Sequence, residues 1–106
     1  MTQQKSADVA AASDQAIPVA QLKTRLAHLP GWALDGAVIR RDWSFKDYYQ
    51  TLAFVNAVAW IAHHTDHHPD MQVGYNRVSV AYSTHSSGGI SEKDLICAAI
   101  VSALDG

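Results

Sequence analysis

Large apolar residues are almost absent from positions 1–16, where Ala, Gln, Ser and Asp prevail and only Met1 and Val9 are sizeable hydrophobes. Such a stretch buries little, so residues 1–16 are predicted to form a mobile tail. A helical period begins after Pro18, with Val19, Leu22, Leu26 and Leu29 recurring at steps of three and four. Pro18 suits the first helical position, and Pro30-Gly31 stops the helix. Two short apolar runs, Trp32 to Leu34 and Val38 to Trp43, flank Asp35-Gly36. That pair signals a hairpin because the turn needs positive φ. Ser44-Phe45-Lys46-Asp47 resembles a capping box opening a second helix, with Asp in place of the usual Glu. Tyr48, Leu52, Val55 and Ala59 mark its expected inner face, with Phe45, Tyr49, Phe54 and Trp60 beside it. It should end near His63 or His64, since Pro69 forbids a regular continuation through His67-His68.

Val73 to Tyr75 and Val78 to Tyr82 follow, the second run alternating as a strand does. Either Asn76-Arg77 turns the chain between two strands, or the two runs form one longer bent strand. Gly88-Gly89 marks a loop, and Ser91-Glu92-Lys93-Asp94 caps an apolar helix reaching about Leu104. The order is α-β-β-α-β-β-α. Hairpins separated by helices predict one α+β domain over residues 17–106, an antiparallel sheet with the helices on one face.

Composition narrows the function. With 106 residues and a formal net charge of −2, the chain is one domain without a basic nucleic-acid footprint. No run approaches the roughly 18 apolar residues of a membrane span. The N-terminus lacks the apolar core of a signal peptide. Cys97 is the only cysteine, so no internal disulfide can form. Its apolar surroundings suggest a small buried hydrophobe. These features make the cytoplasm the expected location.

Six histidines are many for this length, and four of them lie in His63-His64-Thr65-Asp66-His67-His68. An ordinary imidazole titrates near 6.5, so one ring can donate a proton while another accepts one at neutral pH. Asp66 can orient a ring through a hydrogen bond. His85 follows a strand that would bring it near the His67-His68 loop, with Ser83 and Thr84 offering hydroxyls. Asp94 either caps the last helix or faces the site. His63 and His64 are either site residues or solvated helix-end residues, and His28 reads as the latter. Metal binding is the rival, because His63 and His67, like His64 and His68, are four apart. It ranks below acid–base work: no cysteine lies nearby, no His-Glu-x-x-His pattern occurs, and Pro69 breaks the helical spacing.

From His67-His68-Pro69 the chain resembles the pterin-4a-carbinolamine dehydratase family. The likeness runs through Tyr75-Asn76-Arg77-Val78, Ser83-Thr84-His85, Gly88-Gly89-Ile90-Ser91 and Asp94, and includes Trp32 and Phe45-Lys46-Asp47. The resemblance implies a four-stranded antiparallel sheet with three helices on one face, and homodimers that can pair into tetramers. It implies dehydration of 4a-hydroxytetrahydrobiopterin to the quinonoid dihydropterin, with no metal or organic cofactor. His67, His68 and His85 match the family's catalytic histidines. Asp66, Pro69, Met71, Ser83, Thr84, Ser87, Asp94 and His63 are the expected substrate contacts. Some members bind a dimerising transcription factor, so a protein-binding module is the alternative, with the apolar last helix as its surface. His63-His64 stand where better-known members carry Glu-Lys, and Met71 where some carry an aromatic residue.

Overall fold

The computed structural model describes residues 8–105. Helix α1 spans Val19–Leu26, β1 Ala33–Asp35, β2 Val38–Ser44 and α2 Tyr48–Thr65. Then come β3 Asp70–Val73, β4 Arg77–Tyr82, α3 Glu92–Ser102 and a closing 3₁₀ turn at Ala103–Asp105. The strands form one antiparallel sheet in the order β1-β2-β4-β3. This is the expected α+β architecture.

The β1–β2 hairpin closes through Gly36 and Ala37, since Asp35 pairs with Val38. Gly36 alone supplies the positive φ, 62°; Asp35 is the last strand residue. The second pair is two strands, with Val73 opposite Val78 and Gly74 N donating to Arg77 O at 2.8 Å. The turn therefore lies at Gly74–Asn76, one step earlier than the Asn76-Arg77 reading.

Alternation separates the sheet faces. Ile39 opposes Tyr82 and Trp43 opposes Val78, and all four are buried. With Val80 they meet Leu22, Phe54, Val58, Ile61, Leu95 and Val101 from the helices in one core. Arg40, Asp42, Gln72 and Ser79 alternate onto the other face, which stays polar.

Three local expectations shift. Asp47, not Ser44, caps α2, its carboxylate accepting from Gln50 N at 2.8 Å; Ser44 still belongs to β2. The buried stripe of α2 is Thr51, Phe54, Val58, Ile61, Ala62 and Thr65, not the expected Tyr48, Leu52, Val55 and Ala59. Apolar side chains lie all round this helix, so hydrophobicity alone does not aim it. The threonines can be buried because their hydroxyls bond backbone oxygens: Thr51 to Asp47 O and Tyr75 O, Thr65 to Ile61 O. Of the tail expected at 1–16, residues 1–7 lie outside the described residues. Residues 8–11 are helical, and Val9 is buried at 1 % exposure in the core. One apolar side chain in a polar stretch anchors that segment, a contact that local composition does not reveal.

Candidate active site

The site is built where α2, β4 and α3 converge. Helix α2 ends at Thr65, and Asp66 then takes a left-handed conformation, φ 52°. That single reversal swings the chain out of the helix before Pro69 and brings the His67 ring against Tyr82 of β4. Beyond β4, the chain makes a tight turn pinned by Thr84 N to Gly89 O at 2.8 Å and Gly88 N to Thr84 O at 3.0 Å. Gly88 permits it with φ 68°. The turn presents His85 opposite the His67-His68 loop.

His67 is the anchored histidine. Its Nε2 lies 2.6 Å from Asp94 Oδ1, with 14 % of its side chain exposed and Asp94 fully buried. The ring lies parallel to Tyr82, centroids 5.7 Å apart. Burial, then the nearby Cys97 and Asp94, push the Tyr82 phenol upward, so it stays un-ionised and serves as a flat wall. Asp94 Oδ2 accepts from Thr84 Oγ1 at 2.7 Å and from Ser91 N at 2.9 Å. Ser91 and Asp94 thereby form the capping box of α3. The same carboxylate caps a helix and orients a histidine. With an N–H on Nε2 donating to Asp94, the neutral ring carries its lone pair on Nδ1.

A cleft of about 320 Å3 is lined by Asp66, His67, His68, Ser83, Thr84 and His85, together with Asp14, Ser86 and Lys93. This size is at the lower end of small-ligand sites. His68 and His85 are exposed, so their rings are open to a ligand. Three imidazoles thus border one space.

Several expected contacts fall elsewhere. Asp94 has no exposed surface, and both its oxygens are engaged, so it acts through His67 and not on a ligand. Met71 pairs with Val80 and packs against the core. Ser87 bonds within its turn, its hydroxyl donating to Thr84 O at 3.2 Å. His63 is exposed, edge-on to His64. His64 stacks on Trp60 at 3.8 Å and bonds Trp60 O through Nδ1. None of Pro69, Met71, Ser87 and His63 lines the cleft. His64 and His67, one from each pair of histidines four apart, turn to different partners. Among the described residues, no three His, Cys, Asp or Glu side chains are grouped to hold a metal ion. Ser86 and Lys93 were within reach of the sequence, next to His85 and Asp94; Asp14 was hidden in the presumed tail.

Comparison with known proteins gives the family. The family model described as pterin 4 alpha carbinolamine dehydratase matches residues 15–104. A protein of Nitrosospira multiformis, provisionally named a pterin-4-alpha-carbinolamine dehydratase, is 58% identical over 79 residues, covering 74% of this chain and 70% of its own. One from Xanthomonas campestris pv. campestris with the same provisional name is 56% identical over 94 residues, covering 87% of this chain and 80% of its own. A crystal structure of a transcriptional coactivator/pterin dehydratase from Brucella melitensis superposes with a TM-score of 0.81 at 34% identity, covering 87% of this chain and all of that one. A pterin dehydratase-like protein identified as a RuBisCO assembly factor in the alpha-carboxysome gives 0.63 at 29% identity, covering 74% and 94%. By its sequence match and its fold, the chain belongs to the pterin 4 alpha carbinolamine dehydratase family.

Proposed function

We propose that this protein dehydrates 4a-hydroxytetrahydrobiopterin to the quinonoid dihydropterin and water, without a cofactor, in the cytoplasm. The observation that carries the reading is the single cleft lined by His67, His68 and His85. The substrate bears a hydroxyl on C4a and a hydrogen on N5. Removing the N5 proton supplies the electron pair of the new C4a–N5 double bond. The C4a–O bond breaks as the hydroxyl receives a proton and departs as water. His67 Nδ1 is the assigned base, because Asp94 holds the hydrogen on Nε2 and stabilises the imidazolium that forms. His68 or His85 is the acid. Ser83 and Thr84 border the ring, with the Thr84 hydroxyl turned to Asp94 and Ser91.

Stopped assays on synthetic 4a-hydroxytetrahydropterin test the reading. A His68→Ala, His85→Ala double variant should lose turnover by at least about 10²-fold; unchanged turnover would sink the proposal.

Self-association is the second part of the proposal. The last helix, expected to be an interface, spends Leu95, Cys97, Ala98 and Val101 on its own core. Helix α2 instead exposes Tyr49 at 82 % and Trp60 at 46 %. A second copy of this chain is the proposed occupant of that face, giving a homodimer or homotetramer.

A further inference from the structure

Residues 12–17 run from a buried anchor to the rim of the histidine cleft. At one end Val9 is 1 % exposed and its carbonyl accepts from Ala12 N at 3.1 Å. At the other, Ile17 N donates to Ile90 O at 2.8 Å, and Ile17 packs on the core. Between them Gln15 N bonds Ser13 Oγ at 3.1 Å, which turns the chain. The Ala16 methyl sits 3.4 Å from where a Cβ on Gly89 would be, so this strap lies against the glycine turn that carries His85. Asp14 is thereby held where it lines the cleft with His67, His68 and His85.

We infer that Asp14 is a substrate-recognition residue whose carboxylate accepts hydrogen bonds from the 2-amino group and N3–H of the pterin ring. The inference rests on the dehydratase reading. In the pyrimidine ring of a pterin, C2 stands directly opposite C4a. Histidines acting at C4a and N5 therefore leave the 2-amino edge at the far end of the ring. That edge presents two parallel donors, which a carboxylate meets bidentately. Asp94 is unsuited, being fully buried with both oxygens engaged. Asp66 directly precedes His67 and shares its wall. Asp14 arrives on a separate segment whose backbone is tethered at both ends, which holds the residue beside the cleft before substrate enters. Lys93, lining the same cleft, offers a donor to the C4 oxygen next to N3.

The test compares wild type with Asp14→Asn on 4a-hydroxytetrahydropterin and on its analogue lacking the 2-amino group. Asp14 is exposed, so the variant should keep the wild-type melting temperature. For the natural substrate KM should rise about tenfold with kcat within about twofold, the loss expected of a charge-assisted pair. The analogue keeps only the N3–H donor, so Asp14→Asn should raise its KM by clearly less than it raises that of the natural substrate. Equal KM on the natural substrate, or an equal rise on both, overturns the assignment while leaving the dehydratase reading intact. Dihydrobiopterin binding separates the two levels: Asp14→Asn should weaken it about tenfold even if turnover is absent. Wild-type protein that neither turns over nor binds dihydrobiopterin overturns the functional reading, and the role of Asp14 with it.

Discussion

Asp94 concentrates three duties in one side chain: it caps α3, accepts from Thr84 and fixes His67. Asp94→Asn keeps the shape but replaces one acceptor oxygen by a donor. Turnover should fall by about 10²-fold or more with pterin affinity nearly unchanged, because a misoriented base affects the reaction more than the ground state. Stability should drop by about 1–2 kcal/mol from the weakened cap. A variant with wild-type kcat would remove His67 from the base role. Cys97 lies against the same network. Burial pushes its thiol up to about 11, so at pH 8 the folded protein should resist iodoacetamide and react only after denaturation; rapid native labelling would contradict this. The capping box around Ser91 was readable from four consecutive residues. The His67 bond was not, because the partner stands 27 residues away and nothing local to either residue encodes it.

At the scale of elements, the closing 3₁₀ turn is tied to β2. Asp105 accepts from Trp43 Nε1 at 2.8 Å and from Arg41 Nη2 at 2.6 Å. The Trp43 hydrogen bond first, and Arg41 after it, hold the Asp105 carboxyl below its ordinary value of 3.8. A carboxyl lowered in the folded state stabilises above its unfolded value and loses that contribution as pH falls through the folded one. Asp105→Asn should therefore melt lower than wild type at pH 7, with the gap closing toward pH 3. The side chain is 43 % exposed, so the effect should stay below about 1 kcal/mol. A gap that widens in acid would reverse the assignment. Most elements were legible from period and turn chemistry, while the β3–β4 pair stood open between two strands and one bent strand and the helical stretch at residues 8–11 read as tail. The buried face of α2 was not, since aromatic and aliphatic residues surround it and buried Thr51 and Thr65 read as polar.

For the whole molecule, the exposed aromatics of α2 are the feature a lone chain leaves unexplained. Light scattering should give a mass well above the 11.5 kDa of one chain, and a Tyr49→Lys, Trp60→Lys variant should shift it down while the fold survives. A monomeric wild type would refute the interface. No helix among the described residues is long and apolar enough to cross a membrane. The sequence by itself determined the α+β order and the β1–β2 hairpin, because these follow from periodicity and turn residues, and it singled out Asp66, His67, His68, Ser83, Thr84 and His85 as candidates through short motifs and a family resemblance. Only the tertiary structure decided that Asp94 stands behind His67, that Met71 packs into the core, that His63 turns away, and that Asp14 reaches the cleft. Each depends on which distant segment packs where, and burial and long-range pairing are properties of the folded whole that no local stretch of chain carries.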